Sequence, residues 1–439
     1  MTQRLYEDAA YATPQGCYWT DGLTAPDWPV LHGAQSCDVA VIGGGYTGLA
    51  AALRLAEAGA KVTLLEAEMP GWGASGRNGG FCCLGGAKAG AGQLRRRFGA
   101  AGLAEWRATE AAAIETASRL IHSHGLDVDR HSEGETLLAH TPRAARAFEA
   151  DAREIEDAYG VTPHITPAHA LAQDGFGGNF HGALTTPLGF ALHPRKYHHG
   201  LARAASDAGV ACHGRSPITT LTRDGGRWHL GTPEGQVRAT QVLIATNGYS
   251  TETLPDWMRA RTLPVQSSII VTRPLTEDEA ARQGWTTRQM AYDSRVLLHY
   301  FRRLSDGRFL FGMRGGLTAR PRAQAAISKR IRRDFARMFP EWQGIEITHE
   351  WSGLVCLLRG LTPFVGAVPE HPGLYAALGY HGNGVAMASH AGTLAADLIR
   401  KGKADIPAAM AAPPARFPLG RFRRALLAPA YLAAEAFDL

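Results

Sequence analysis

A glycine-rich turn between two apolar runs constrains the fold of this chain more than any other feature. Residues 38–68, "DVAVIGGGYTGLAAALRLAEAGAKVTLLEAE", have the pattern of a buried strand, a helix and a second buried strand. Gly43, Gly45 and Gly48 have the G-x-G-x-x-G spacing. In such a unit the first glycine allows the tight turn, the second lets the backbone approach a pyrophosphate, and the third lets the helix pack on the strand. The pattern therefore predicts a βαβ unit that binds a dinucleotide.

The end of the second strand indicates which ribose the site accepts. Glu66, followed by Ala67, lies 18 residues after Gly48, where a carboxylate accepts hydrogen bonds from both ribose hydroxyls. A 2′-phosphate would be repelled there, which disfavours NADP. Tyr46 and Thr47 begin the helix, whose N-terminal N–H groups face the phosphate charge. This motif alone leaves NAD and FAD open.

Length and composition limit the class of protein. A chain of 439 residues is too long for one compact core, and 45% hydrophobic with 20% charged residues are values of a folded globular protein. The sequence has no secretory signal and no apolar run that could span a bilayer, which predicts a cytoplasmic location. Six cysteines without C-x-x-C pairing predict reduced thiols and no metal site. The net charge of +6 is scattered along the chain, which favours an anionic small ligand over nucleic acid.

A second glycine-rich segment follows the βαβ unit. Residues 71–80, "GWGASGRNGG", hold five glycines around a few strong hydrogen-bond donors. So little side-chain bulk predicts that this backbone lies against a flat or charged ligand. The candidate ligand-binding residues of the segment are Gly73, Ala74, Ser75, Arg77, Asn78, Gly79 and Gly80.

The order of these motifs carries a family resemblance. Strand, G-x-G-x-x-G, helix, strand, Glu66 and then the 71–80 segment resemble the D-amino-acid oxidase superfamily, most closely its γ-glutamylputrescine oxidoreductase branch and more distantly glycine oxidase and sarcosine oxidase. The resemblance implies FAD as the cofactor, with Arg77 and Asn78 supplying charge and hydrogen bonds beside the pyrophosphate and the flavin. Cys356 does not align with the cysteine that attaches FAD covalently in some relatives, so non-covalent FAD is expected.

The resemblance extends over residues 5–400 and implies further cofactor contacts. The backbone near Ile218 would meet the adenine, and a strand end at Ala245, Thr246 and Asn247 would close over the cofactor. A turn before the last long helix would face the pyrimidine edge of the flavin and stabilise the negative charge of its reduced form. The candidate residues of that turn are Gly379, Gly382, Asn383, Gly384 and Val385. His381, in the same turn, is either a catalytic residue beside the flavin or a loop residue that faces solvent.

Together, the resemblance and the strand patterns predict an α/β protein. A Rossmann-like FAD-binding domain would carry an inserted antiparallel-sheet substrate domain of α+β type. The predicted parts are an N-terminal extension (1–35), a discontinuous FAD-binding domain (36–100, 186–261 and 345–400), a substrate domain (101–185 and 262–344) and a C-terminal tail (401–439).

The substrate domain indicates the chemistry. Tyr300, Arg302 and Arg314 lie in runs of strand length and are candidate catalytic residues on one wall of a pocket whose other wall is the flavin. The cofactor implies oxidation of a C–N bond in an amine or amino acid by hydride transfer to flavin N5, giving an imine that hydrolyses to a carbonyl. The arginines favour a substrate that bears an acidic group.

The electron acceptor and some alternative functions stay open at this point. The resemblance aligns Leu310 with an oxygen-activating lysine of sarcosine-oxidase-like relatives, so a quinone or another acceptor is an alternative to oxygen. An NAD-dependent dehydrogenase is disfavoured by the 71–80 segment, and a flavoprotein that acts on RNA or a protein partner is disfavoured by the dispersed charge. The tail is predicted to dock on the body or on a second subunit, with a membrane surface as the alternative.

Overall fold

Two large β-sheets with helices packed around them make up the fold of residues 4–438, the part of the chain that the computed structural model describes. The strands are β1 (Gly33–Ile42), β2 (Val62–Leu65), β3 (Phe81–Cys82), β4 (Glu135–Leu138), β5 (His164–Pro167), β6 (Gly182–Thr186), β7 (Phe190–Ala191), β8 (Ala211–His213), β9 (Thr220–Asp224), β10 (Arg227–Gly231), β11 (Gly235–Ile244), β12 (Thr262–Thr272), β13 (Met290–Asp293), β14 (His299–Arg303), β15 (Phe309–Arg314), β16 (Ile347–Leu358), β17 (Phe364–Ala367) and β18 (Leu374–Leu378). The α-helices are α1 (Tyr46–Glu57), α2 (Ala91–Ser123), α3 (Pro142–Tyr159), α4 (Pro194–Asp207), α5 (Glu277–Gln283), α6 (Pro321–Met338), α7 (Gly384–Lys401), α8 (Ala408–Ala411) and α9 (Leu427–Phe437).

The first sheet has the predicted Rossmann-like organisation. Its strand order is β17-β18-β11-β1-β2-β8, and the neighbours from β18 to β8 are parallel. Successive residues of β1 face two separate cores, with Val39 and Val41 packed toward α1 and α7 and Ala40 packed toward Trp228 of the β9–β10 hairpin. The apolar run that predicts this strand is thus explained by burial on both faces.

The second sheet is the predicted inserted sheet. Its order is β16-β12-β15-β14-β13-β4-β6-β5, and only β13 and β4 pair in parallel. Its outer face carries an aromatic cluster in which Phe309 and Phe311 pack against Phe335 of α6, and Phe301 stacks on Phe311. Because side chains alternate along a strand, Tyr300 and Arg314 lie on the opposite, inner face. The fold class expected from the sequence is therefore confirmed, with the substrate sheet turned toward the first sheet.

Two elements pack outside the predicted segments to which they belong in sequence, while the predicted domain boundaries themselves stay a prediction. Strand β16, assigned to the FAD-binding segment 345–400, lies in the second sheet because it pairs with β12 along its whole length. Helix α2, most of it assigned to the substrate segment 101–185, packs on α7 and buries Trp106, Ala113 and Ala117 in the core of the first sheet. Both differences arise from long-range packing that the local sequence pattern does not encode.

The first and last segments of the described residues both pack on this body. In the segment predicted as an extension, Trp19 is buried, and the ring of Trp28 lies against Gly44. In the C-terminal tail, the fully buried Arg423 donates to the carbonyl of Thr262 at 2.7 Å and forms an ion pair with Glu252. The tail therefore docks on the body of its own chain. Between residues 4 and 438 there is no helix whose length and apolar content would let it cross a membrane.

Candidate active site

A cavity of about 340 Å³ lies between the two sheets. One wall consists of the glycine turn after β1, the end of β2, the 71–80 segment, the end of β11 and the turn before α7. The opposite wall consists of inner-face residues from β4, β12, β13, β14, β15 and β16. The fold thus places the predicted cofactor loops opposite the predicted substrate sheet.

Almost all of the predicted cofactor-binding residues line this cavity. The exceptions are Gly48, Gly80 and Gly379. Each exception gives room to neighbouring backbone or side chains: a Cβ added at Gly48 would lie 1.9 Å from the Gly43 carbonyl oxygen, and one at Gly80 would lie 2.1 Å from the Leu192 carbonyl oxygen. These three glycines do not line the cavity but leave room for the atoms packed beside them. Direct contact of the other predicted residues with FAD stays a prediction.

Two helix N-termini point their backbone N–H groups at the cavity. Helix α1 begins after Gly45 and α7 begins after Asn383, and neither preceding residue caps its helix with a side-chain hydrogen bond. The two helices cross closely at Gly392, where an added Cβ would lie 2.4 Å from the Thr47 carbonyl oxygen. At α1 the Tyr46 N–H donates to Ser75 Oγ at 3.0 Å, and the N–H groups that follow it remain at the helix start. N–H groups at a helix start attract anions, so these two ends suit the pyrophosphate and an electron-rich ring edge.

Glu66 lies at the end of β2, where the sequence predicts ribose recognition. Its carboxylate accepts hydrogen bonds from the backbone N–H of Gly44 at 2.8 Å and of Glu68 at 3.0 Å. Burial raises the pKa of this carboxyl. A carboxylate has about four acceptor positions, so it can still bind ribose hydroxyls after these two bonds.

The polar side chains of the 71–80 segment hold the segment itself. Arg77, expected to supply charge to the cofactor, is buried and donates to the carbonyls of Trp72 at 2.8 Å and Ser352 at 3.2 Å. Asn78 donates to the carbonyls of Ala74 and Ser75, each at 3.1 Å. The segment therefore faces the cavity mainly with backbone and small side chains, and its two largest donors fix its shape.

The substrate wall brings together two of the predicted catalytic residues. The hydroxyl of Tyr300 lies 3.0 Å from Ser267 Oγ, and its ring fits in the space above Gly312 of the neighbouring strand. Arg314 lines the same wall, where a Cβ added at Gly382 would lie 2.5 Å from its Nη2 atom. Arg314 therefore lies beside the start of α7, at the junction of the cofactor and substrate walls.

These residues fit FAD on the evidence of the cavity itself. The cavity runs from a buried carboxylate, past the N-terminal ends of α1 and α7, to a polar wall. His198 donates through Nε2 to the Gly44 carbonyl at 2.7 Å, while its buried Nδ1 has no hydrogen-bond partner among residues 4–438. A buried acceptor of this kind is normally satisfied, and a cofactor donor or an ordered water would satisfy it.

Comparison with known proteins decides the family. A family model described as FAD dependent oxidoreductase matches residues 38–398. The chain belongs to this family. This FAD-dependent oxidoreductase is 33% identical over 411 residues to the probable oxidoreductase OrdL of Rhizobium meliloti (strain 1021), covering 92% of each chain. It is 29% identical to the γ-glutamylputrescine oxidoreductase of Escherichia coli (strain K12), covering 90% of this chain and 91% of the relative.

A solved structure gives the same answer for the fold. The glycine oxidase of Geobacillus kaustophilus superposes with a TM-score of 0.68 at 22% identity, covering 84% of this chain and 95% of that one. The predicted family resemblance and the predicted FAD cofactor are thus confirmed.

Two residues predicted to be catalytic do not reach the cavity of the oxidoreductase. His381 is buried, its Nδ1 donates to the Gly86 carbonyl at 2.9 Å, and its Nε2 accepts from the Leu358 N–H at 3.2 Å. Burial lowers the pKa of this imidazole to about 4, so it is neutral at pH 7. Because the backbone occupies both ring nitrogens, His381 holds the turn in place rather than acting on a substrate.

Arg302 was also expected on the substrate wall. It is buried instead, and it donates to the Leu192 carbonyl at 2.7 Å and contacts His131 Nε2 at 3.0 Å. Its guanidinium also lies over the rings of Trp19 and Phe81. Arg302 therefore supports the segment behind the cavity and is not a wall residue.

Sequence reasoning missed a group of polar residues on the inner wall. Glu135 of β4 and Tyr292 of β13 line the cavity together with Cys83. Glu135 is the only charged residue of β4, in the run "ETLL", and an isolated acid in an apolar strand is a usable signal. What the sequence does not reveal is the parallel pairing of β4 with β13, which brings Glu135 to the substrate side.

Cys356 also lines the cavity of the oxidoreductase. Burial raises the pKa of its thiol to about 12, so the thiol is protonated at neutral pH and is a poor nucleophile. Non-covalent binding of FAD stays the prediction.

The role of Glu66 is testable by FAD retention. Glu66→Ala is expected to weaken FAD binding by about 1.5–3 kcal/mol, since hydrogen bonds to a charged acceptor have that net value. Glu66→Gln keeps one acceptor oxygen and is expected to lose less. The dissociation constant of FAD, measured by flavin fluorescence after dialysis, checks both variants; unchanged affinity in Glu66→Ala would contradict the assigned role.

Proposed function

We propose that this oxidoreductase oxidises a C–N bond in an amine or amino acid that bears an acidic group. A hydride would leave the carbon next to the amine, and the resulting imine would hydrolyse to a carbonyl compound. Bound FAD would supply the hydride acceptor at N5. Two relatives support the proposal, since they are named γ-glutamylputrescine oxidoreductase and glycine oxidase.

The proposal of an acidic group on the substrate rests on Arg314, which lies at the cavity wall. The titratable groups nearest its guanidinium are Tyr300, Cys83 and Tyr431; burial raises the pKa of each, so they are neutral at pH 7, and none of them is a carboxylate. Burial lowers the pKa of Arg314, yet a guanidinium stays charged at neutral pH. A cation at a cavity wall without an anionic partner among residues 4–438 is an anchor for a ligand anion, because pairing offsets the cost of its burial.

The rest of the wall would orient the substrate. Tyr300 and Ser267 offer hydroxyl groups beside the anchor, while Leu84, Leu298 and Ile269 supply apolar surface. An acid held at Arg314 fixes one end of the molecule and directs the amine along the cavity. This arrangement favours a small substrate with its two polar groups at separate ends.

The electron acceptor is oxygen, a quinone or another oxidant. The alignment of Leu310 is the reason for considering an acceptor other than oxygen. Leu310 is fully buried and packs with Trp19 and Trp351 instead of lining the cavity. The residue at position 310 therefore gives no support to either acceptor. Comparing reoxidation of the reduced protein by air and by a soluble quinone separates them.

An anaerobic reduction screen tests the proposed function. The holoenzyme would be mixed with glycine, N-methylglycine, 4-aminobutyrate, 2-aminoethylphosphonate, γ-glutamylputrescine and butylamine. We expect bleaching of the flavin absorbance by at least one of the acid-bearing or glutamylated amines, and slower bleaching by butylamine. No bleaching by any amine would overturn the proposed function.

A further inference from the structure

Glu135 is a buried carboxyl that the mechanism above does not use. It lies at the start of β4 with 5% of its surface exposed, and it faces the cavity. Its Oε1 accepts a hydrogen bond from the backbone N–H of Leu84 at 3.3 Å. No arginine, lysine or histidine pairs with it among residues 4–438, so its charge is not balanced within the described part of the chain.

The surroundings raise the pKa of this carboxyl toward neutral pH. Burial is the dominant influence and raises its pKa to about 7, while Tyr292, Cys83 and the Leu84 N–H oppose that rise by stabilising the ionised form. The charged and titratable groups around it are Cys83, Tyr292, Glu110 and Tyr159, with Arg314 acting on Cys83 from β15. Glu135 thus has both an open position on the cavity and the basicity to take up a proton near neutral pH.

Amine oxidation creates a need for such a group. A primary amine has a pKa of about 10 in water, so it arrives at pH 7 as an ammonium ion. Hydride can leave the adjacent carbon only when nitrogen has a free electron pair to form the C=N bond. A positioned acceptor for the ammonium proton therefore makes the reaction possible below the pKa of the free amine.

We propose that Glu135 accepts a proton from the substrate ammonium group before the C–H bond breaks. One N–H bond breaks and one O–H bond forms on the carboxyl, and the electron pair stays on nitrogen. Bound FAD, the cofactor of the family, would then accept the hydride from the adjacent carbon. Arg314 and Glu135 together would recognise a zwitterion, with the acid at the arginine and the ammonium at the glutamate. This inference rests on the proposed function.

The experiment is the pH profile of flavin reduction in Glu135→Gln. The fastest amine of the reduction screen would be mixed anaerobically with wild type and variant between pH 6.5 and pH 10, values chosen to span the ordinary amine titration near pH 10. We expect the variant to be slower than wild type by about tenfold or more at pH 7, and the difference to close toward pH 10, where the free amine predominates. Glutamine keeps the acceptor oxygen for Leu84, and the flavin spectrum and thermal unfolding would show that the variant is folded and loaded.

Asp151→Asn is the matched control. Asp151 of α3 is another carboxyl whose pKa burial raises, but it does not line the cavity and is not among the groups that act on Glu135. Its pH profile is expected to match that of wild type.

The outcomes separate the two proposals. If an amine bleaches the flavin and Glu135→Gln retains the wild-type pH profile, the role of Glu135 is overturned while the proposed function stands. A loss that is equal at every pH also overturns it, because a structural defect would not be rescued by deprotonated amine. If no amine bleaches the flavin, the proposed function fails and this inference fails with it.

Discussion

Replacing Gly45 with valine is expected to give folded protein with little bound FAD. A Cβ at this position would lie 2.9 Å from Ser75 Oγ, which accepts a hydrogen bond from the Tyr46 N–H at 3.0 Å. A branched side chain there would enter the cavity at the start of α1, where the pyrophosphate needs close approach to backbone N–H groups. We expect FAD content below about one tenth of wild type, since the steric block acts on the tightest part of the site. Flavin released on denaturation, measured per mole of protein, checks the result.

Gly92→Val is the control for this substitution. Gly92 lies on the exposed surface of α2, and the atom nearest to an added Cβ is Arg96 Nη1 at 3.9 Å. This variant is expected to keep its FAD. Normal FAD content in Gly45→Val would show that the glycine turn does not hold the pyrophosphate.

The cofactor side of the site was predictable because its signals are local. Gly43 has a φ of +106°, and a Cβ there would lie 2.8 Å from the Ala245 carbonyl oxygen, so both the turn and the strand contact require glycine. Glu66 follows at the end of the next strand, where the length of one helix and one strand fixes its position. Short-range spacing therefore carries most of the information about this half of the cavity.

The substrate side was less predictable because side-chain direction depends on distant packing. Tyr300 and Arg302 lie on the same face of β14, yet only Tyr300 reaches the cavity. Arg302 lies under the carbonyl of Leu192, a residue more than a hundred positions away in sequence. His381 has a φ of +51°, and its ring hydrogen-bonds the distant Gly86 carbonyl. No pattern within either local segment encodes these contacts.

Glu135 was overlooked for the same reason: its position at the cavity depends on distant packing. Its strand joins the sheet by pairing in parallel with β13, which is separated from it by about a third of the chain. The sequence marks Glu135 as an acid in an apolar strand, but only the sheet order brings it near Tyr292 and Cys83. A carboxyl whose position depends on sheet topology is thus recognised at the cavity only after the fold is known.

Replacing Arg314 with methionine is expected to remove the preference for acid-bearing amines. The charged hydrogen bond between guanidinium and a substrate acid is worth about 1.5–3 kcal/mol, or about 10–150-fold in affinity. Flavin reduction by subsaturating 4-aminobutyrate or 2-aminoethylphosphonate is expected to slow by that factor. Reduction by butylamine is expected to stay within about twofold of wild type, because a plain amine has nothing to pair with the arginine. Anaerobic stopped-flow measurement of both amines at several concentrations checks the prediction.

Arg314→Lys distinguishes charge from geometry at this position. Lysine keeps the positive charge but lacks the planar fork that binds a carboxylate or phosphonate through two parallel hydrogen bonds, so an intermediate loss is expected. Because Arg314 also lies beside Gly382 at the start of α7, its loss could instead disturb the flavin. In that case butylamine and the acids would slow equally in Arg314→Met, and the anchor role would be wrong. A specific loss for the acids, with the flavin spectrum unchanged, requires that the arginine binds the substrate anion.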